Sequence, residues 1–343
     1  MGIREVAQRA GVAMTTAWRV IHGIPTVDRR VVQRVRKAAA DLRYFPSSPA
    51  RALASGKSRI LGVIVPEITN PFFPEIVQSF EDAAVERDYE ILLISTLHDP
   101  KRVKLGVRRL LERRVNGIAI LTFGMEDLLV RELRFHPVPS VVLDLCRPEP
   151  WVTTIRIDYL HGARQSVQHL AALRHRCIAF IAGPEHLSSA SARREAFEQC
   201  MTEIGLTARP KFLVAGDNTV EGGMRAFANL AALSTPPTAV LCSNVLSALG
   251  VMRQAFQTGI SIPSALSVIG FDDIRLARFT VPPLTTVRIS QTELARLAFQ
   301  VLIERIEKQP SCAETSERIL TTNLVLRCTT ALCYSQPGNP EQP

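Results

Sequence analysis

From residue 60 onward, short apolar runs alternate with amphipathic stretches, and this alternation leaves few architectures open. Apolar runs stand at 60–65, 90–95, 117–122 and 140–144, then at 177–182, 211–214, 238–242 and 266–270. Each has the length of a strand and is too short to cross a bilayer. Amphipathic stretches near 73–87, 100–114, 125–134, 160–173, 190–204, 220–233, 245–258 and 290–308 read as helices between or after them. This alternation predicts doubly wound parallel sheets with helices on both faces. Two such sets, about 60–160 and 161–290, predict two sheet subdomains with a cleft between them. Segments 282–289 and 319–326 are expected to cross from one to the other. A chain of 343 residues also exceeds what one hydrophobic core usually serves.

The first 60 residues follow a different pattern. They carry 12 Lys+Arg against 3 acidic residues, a charge of +9, and the whole chain is also +9, from 41 basic and 32 acidic residues. The remaining 283 residues therefore balance at 29 of each sign. A cationic head on a neutral body suits a protein that holds a polyanion at one end. A disordered basic arm would carry the same charge, but it would lack helical spacing. Here Ile3, Val6, Ala7 and Ala10 share one face of a first helix that Gly11 ends. Thr16, Ala17, Val20 and Ile21 mark a second, closed by His22-Gly23, and Asp28 is placed to cap a third lined by Val31, Val35, Ala38 and Leu42. Two short helices about a Gly-containing turn, with a third packed across them, form the helix-turn-helix pattern.

The run Ile3-Arg4-Glu5-Val6-Ala7-Gln8-Arg9-Ala10-Gly11-Val12, followed by Thr16-Ala17-Trp18-Arg19-Val20-Ile21-His22-Gly23, resembles the lactose/galactose repressor (LacI/GalR) family of transcription regulators. Asp28 through Val35, Leu42, Tyr44, Pro46, Ala50, Arg51 and Leu53 continue the match, and the similarity runs to about residue 330. The resemblance implies a small all-α helix-turn-helix domain followed by α/β, as two doubly wound parallel-sheet subdomains of the periplasmic-binding-protein type. It divides the chain into a DNA-binding domain over 1–45, a hinge over 46–59 and an effector-binding and dimerisation domain over 60–330. Within the last, one subdomain takes about 60–160 plus crossover segments from 290–330, and the other takes 161–290. Residues 331–343, with Pro337, Gly338, Pro340 and Pro343, are expected to form a flexible tail.

In this family the second helix enters the major groove of double-stranded operator DNA. The resemblance makes Met14 and Thr15 the base-reading pair and Arg19 a base or phosphate contact, with Thr16, Trp18 and His22 in the same interface. Three residues depart from the pattern. Ala13 replaces a capping Ser, a loss of about 1 kcal/mol of helix stability. Trp18 stands where a small hydroxyl residue is usual. Met14 offers apolar contact and cannot read a donor–acceptor pattern, so the operator sequence does not transfer from any relative.

Ser48-Pro49 and Gly56 bracket a segment too short to be a stable helix alone, and a plain linker would look similar. The resemblance implies a hinge helix that folds on DNA beside its dimer mate, carries Arg51 and wedges Leu53 into the minor groove. Gly56-Lys57-Ser58 is no phosphate loop, because Arg51 occupies the position where that motif needs Gly.

Several polar or aromatic residues follow the body's strands: Asn70-Pro71-Phe72-Phe73, Asp144, Arg193, Asn244 and Asp272-Asp273. Singly, each suits a turn or a helix cap. Together they lie where a cleft opens at the carboxyl ends of parallel strands. The resemblance implies an effector pocket in which Phe72 and Phe73 stack on a ring, while Asp144, Arg193, Asn244 and Asp272 bond its polar groups. The implied effector is a sugar or a nucleobase-like molecule. Arg174, Ala196 and Val245 depart from the family pattern.

No catalytic or metal constellation stands out. The seven His residues form no H-E-x-x-H pair, there is no G-x-S-x-G or G-x-G-x-x-G, and adjacent Asp272 and Asp273 point apart. No cofactor, metal or catalytic residue is expected. Seven cysteines without a C-x-x-C pair, and no apolar leader, predict a cytoplasmic protein with no membrane partner. The sequence thus predicts a homodimeric, effector-controlled transcription regulator, and a repressor in particular. A transport solute-binding protein would not need the basic head. A DNA-acting enzyme would need a reactive constellation.

Overall fold

The computed structural model describes residues 2–21, 23–24, 26–44, 58–123, 126–133, 138–145, 151–308 and 316–333. The chain forms two compact units, Met1–Arg59 and Ile60–Pro343.

The first unit holds α1 (Ile3–Ala10), α2 (Met14–Ile21) and α3 (Arg29–Asp41). Its small core is Val6, Ala7, Ala10, Ala17, Val20, Val35, Ala38 and Ala39, which are the apolar faces predicted for each helix with little else added. Gly11 ends α1 in the left-handed region at φ 62°, where a Cβ would be strained. The Asp28 carboxylate accepts the Arg30 N–H at 2.8 Å and caps α3. At α2 the Ala13 carbonyl accepts from Thr16 and Ala17, but its methyl group gives no side-chain cap.

The second unit contains two six-stranded sheets. The first is built from β1 (Ile60–Val65), β2 (Glu90–Ser95), β3 (Gly117–Ile120), β4 (Ser140–Leu143), β5 (Val152–Asp158) and β11 (Ser316–Thr321), in the order β11-β5-β4-β3-β1-β2. The second has β6 (Ile178–Ile181), β7 (Leu213–Val214), β8 (Ala239–Cys242), β9 (Ser267–Asp272), β10 (Thr285–Arg288) and β12 (Asn323–Val325), in the order β12-β10-β9-β8-β6-β7. All pairings are parallel except β10 with β12. The helices are α4 (Phe72–Val85), α5 (Pro100–Glu112), α6 (Glu126–Leu133), α7 (Tyr159–Ala172), α8 (Ser188–Glu203), α9 (Val220–Ala231), α10 (Val245–Gln257) and α11 (Gln291–Lys308). In each half the strand order reverses beside the first strand, between β1 and β3 and between β6 and β8. Loops diverge there and leave a crevice at the carboxyl ends.

Two expectations need correction. Segment 211–214 is mostly a 3-10 turn, Pro210–Phe212, and only Leu213–Val214 pairs. Strand β5 was not predicted, because its Thr153 and Thr154 interrupt the apolar run. Both are buried, and Thr153 receives a hydrogen bond from Arg305.

The chain passes between the halves after β5, after β10 and at Thr322. Thr322 is fully buried; its hydroxyl donates to the Asp158 carbonyl at 2.7 Å and accepts the Gly162 N–H at 2.9 Å, pinning two crossings together. Gly162 is required there, since a Cβ would lie 2.3 Å from Val287 Cγ1.

Ala331 and Cys333, assigned by the sequence to a flexible tail, are instead bonded to the second half. The Ala331 N–H donates to Ser267 Oγ at 3.1 Å, and the Cys333 N–H donates to the Leu173 carbonyl at 2.8 Å. Buried His175 completes the attachment, with its ring nitrogens 2.9 Å from Thr238 Oγ1, 3.0 Å from Ser267 Oγ and 3.1 Å from the Ala331 carbonyl. Burial holds the His175 pKa below its usual 6.5. The unfolded chain therefore takes up this proton more readily than the folded one. Its contribution is present above pH 6.5 and is lost as the pH falls below that value. Urea midpoints measured from pH 7.5 to 5 should decline, and His175→Asn should flatten that slope.

Candidate functional site

In the first unit, Ala17 and Val20 turn α2 inward, and positions one turn apart share the opposite face. That outer face carries exposed Met14, Thr15 and Arg19 together with half-buried Trp18. Half-buried Thr16 lies toward the core side, away from them. Every described Arg and Lys of this unit is exposed. Of the acids, Asp28 caps α3, Glu5 accepts the Gly2 N–H at 3.0 Å, and Asp41 meets Arg9 at 3.4 Å. The positive charge therefore faces solvent, a requirement for phosphate contact. His22, Arg51 and Leu53, with the rest of the predicted hinge helix, lie outside the described residues.

In the second unit the crevice is a cleft of about 540 Å³. Five of the six predicted effector residues line it: Phe72, Phe73, Arg193, Asn244 and Asp272. Phe72 and Phe73, at the start of α4, meet edge to face with centroids 5.3 Å apart, and Phe123 after β3 lies 6.3 and 6.2 Å from them. The three rings give the cleft one apolar wall.

The facing wall is polar and centres on an ion pair. Arg193, on α8, places Nη2 2.8 Å from Asp272 Oδ1 at the end of β9, and both side chains are almost fully buried. Arg193 also donates to the Ser243 carbonyl, and its guanidinium carbon sits 4.6 Å from the Phe271 ring centroid and 5.1 Å from that of Tyr159. Burial pushes the Asp272 carboxyl upward, and the adjacent guanidinium opposes that rise. Arg193 Nε is buried inside this wall, out of contact with solvent. Asn244 caps α10 by accepting the Ser247 N–H at 2.8 Å and donates to the Asn218 carbonyl at 2.9 Å.

Asp144 stands apart from this group and does not line the cleft. Its Oδ1 accepts the Ile157 N–H at 2.8 Å and its Oδ2 the Tyr159 hydroxyl at 2.7 Å. Burial raises the Asp144 pKa against these bonds and sends that of Tyr159 well above the phenol value. Asp144 on the first sheet thus reaches Tyr159 at a crossing, and Tyr159 lies beneath Arg193 of the second half. Gln291, at another crossing, donates to the Asp272 carbonyl at 2.9 Å. The ion pair that faces the cleft is therefore wired to two of the three segments joining the halves.

Further lining residues were not singled out from the sequence: Glu67, His98, His186, Asp217, Asn218 and Glu221. Burial lowers the His98 pKa, Glu67 opposes this, and His186 lowers it further. Burial acts against the Asp217 carboxylate, but the bonds from Thr219 and the charge of Arg225 outweigh it and hold its pKa below the ordinary value. Asp144, Asn218, Asp272, Leu97 and His98 all have positive φ at or just past strand ends. Among the described residues no group of His, Cys, Asp and Glu is arranged to hold a metal ion. No helix among them is long and apolar enough to cross a membrane.

Residues 2–47 match the family described as bacterial regulatory proteins, lacI family, and residues 167–330 match the periplasmic binding protein-like domain. The chain is 32% identical over 329 residues to the HTH-type transcriptional repressor CytR of Escherichia coli (strain K12), covering 96% of each chain. It is 35% identical over 313 residues to the HTH-type transcriptional repressor PurR of Glaesserella parasuis serovar 5 (strain SH0165), covering 90% of this chain and 92% of that one. The structure of the lac repressor dimer bound to operator and the anti-inducer ONPF is similar at a TM-score of 0.87 and 27% identity, over 96% of this chain and 99% of that one. A complex of the transcriptional regulator CelR with cellobiose is similar at a TM-score of 0.73 and 26% identity, over 96% and 99%.

Proposed function

The chain belongs to the lacI family of bacterial regulatory proteins, and from that premise we propose how its residues divide the work of repression. It is a DNA-binding transcriptional repressor with a periplasmic-binding-protein-like effector domain, and it acts as a dimer on operator DNA. In our reading α2 docks in the major groove through Met14, Thr15, Trp18 and Arg19, and residues 46–59 form the hinge. The cleft takes a small effector between the phenylalanine wall and the Arg193–Asp272 pair. No catalytic step is assigned to it, and its place of action is the cytoplasm, where the chromosome is.

One observation carries this reading of control. The Arg193–Asp272 pair belongs both to the cleft wall and to the bonds that hold the crossings, through Tyr159 with Asp144 and through Gln291. An effector that draws on either partner changes the relative stability of two poses of the halves, and so couples to DNA affinity reciprocally. Asp144 acts in this reading as a link at the crossing, where the sequence had suggested a direct ligand contact.

Dimerisation needs apolar surface, and in our reading the second half supplies it through residues such as Phe256, Phe279 and Val281, at 77%, 68% and 94% exposure. Selection of bound duplexes from a random library should return a pseudo-palindrome, as two-fold symmetry requires. Val281→Asp should shift the protein from dimer to monomer in light scattering and weaken binding to the selected duplex at least tenfold. A selected site without two-fold symmetry would overturn the dimeric reading.

A further inference from the structure

We propose that the cleft excludes anions: its effector is an uncharged or cationic ring compound with hydrogen-bonding groups, and the phosphorylated form of the same compound is rejected. This rests on the reading of the cleft as the effector site and narrows the class of molecule that enters it.

The charge of the lining carries the inference. Four carboxylates, Glu67, Asp217, Glu221 and Asp272, line the cleft, and among the described lining residues Arg193 is the one Arg or Lys. That guanidinium is already neutralised by Asp272 at 2.8 Å in a nearly water-free setting. Asp217 is met by Arg225 from outside the cleft at 2.6 Å. Glu67 and Glu221 have no such partner among the described residues, and they come from opposite halves, after β1 and in the first turn of α9. A phosphate brought between them would meet two like charges and would have to displace Asp272 to reach the cation. Repulsion of this kind grows as water is excluded.

Helix N-termini argue the other way in general, because their free N–H groups attract phosphate. Four helices begin at this cleft, and in three of them a side chain of the chain itself already takes one of the first-turn N–H groups. Asn70 Oδ1 accepts from Phe72 at 3.1 Å, Thr219 Oγ1 from Gly222 at 2.9 Å, and Asn244 Oδ1 from Ser247 at 2.8 Å. Only α8 starts without a side-chain cap, and its Arg193 is committed to Asp272. What remains suits a neutral molecule: three phenylalanine rings for a face, and the lining Thr69, His186 and Ser189 side chains to bond hydroxyl or ring atoms.

The test uses the full-length protein and matched series that differ only in charge. The first series is glucose, glucosamine and glucose 6-phosphate; the others are ribose with ribose 5-phosphate, and each common nucleoside with its 5′-monophosphate. Melting temperatures identify binders by mass action, and titration calorimetry then gives Kd for each pair. An uncharged or amino member should bind, and its phosphate should bind at least tenfold more weakly. The gap should shrink in Glu67→Gln/Glu221→Gln, whose exposed or half-buried positions leave the core untouched. A phosphate that binds as tightly as its parent overturns the inference and leaves the cleft as the effector site. A gap unchanged in the double variant also overturns it, since the carboxylates would not be its source. If no compound in any series binds, the assigned class fails, while release of the selected operator by a small-molecule cell extract still decides the sensor reading separately.

Discussion

Arg193→Ala should lower the stability of the second unit by about 3–5 kcal/mol and abolish the response to effector, because it strands a buried carboxylate. Asp272 is all but removed from solvent, and Arg193 is the cation beside it. The same substitution removes the donor to the Ser243 carbonyl and the cation held over Phe271 and Tyr159. The pH dependence has a definite sign. Burial already raises the Asp272 pKa, and without Arg193 nothing opposes it there. A carboxyl with a raised folded pKa stabilises the fold when protonated and loses that contribution as the pH rises. The deficit of the variant should therefore shrink toward acid pH. Arg193→Ala/Asp272→Asn should recover much of the loss at neutral pH, a strong coupling by double-mutant cycle. Urea midpoints from pH 5 to 8 check all three expectations. An Arg193→Ala protein as stable as the parent would mean that water, and not the guanidinium, compensates Asp272.

The sequence made the periodic parts of this fold legible and left the convergent parts obscure. The body helices observed lie within a few residues of their predicted positions, since amphipathic spacing is a local property. Strand β5 was hidden because Thr153 and Thr154, polar by composition, are satisfied by partners distant in the chain such as Arg305. The cleft shows the same limit. Phe72, Phe73, Arg193, Asn244 and Asp272 were found by looking just past strand ends. The same rule applied to every strand would have reached Glu67 after β1, His98 after β2, Phe123 after β3 and His186 after β6. What no linear pattern carries is the bond between Asp144 and the Tyr159 hydroxyl, formed between segments that meet at a crossing. The exposure of the head's described basic residues was legible too, because it follows on a three-helix core from the apolar spacing alone.

Arg19→Ala should weaken specific operator binding by roughly thirtyfold to ten-thousandfold while leaving the fold and effector affinity unchanged. The estimate takes about 1–2.8 kcal/mol for one base contact and doubles it, because a dimer presents the residue in both half-sites. Arg19 is exposed on the outer face of α2, and the core contacts of that helix belong to Ala17 and Val20, so truncation removes no packing. Two further measurements say what Arg19 touches. If it reads guanine through paired donors, the selected duplex should lose its preference at one position in each half-site, and Arg19→Lys should fail to restore it, since an ammonium lacks the planar fork. If it holds a phosphate, binding should weaken alike on all sequences, Arg19→Lys should restore most of it, and the salt dependence should fall by about one counterion per half-site. Retained tight and selective binding by Arg19→Ala would remove α2 as the reading helix. The docking face would then have to be sought among the arginines of α3, which are equally exposed and carry the largest share of the head's charge.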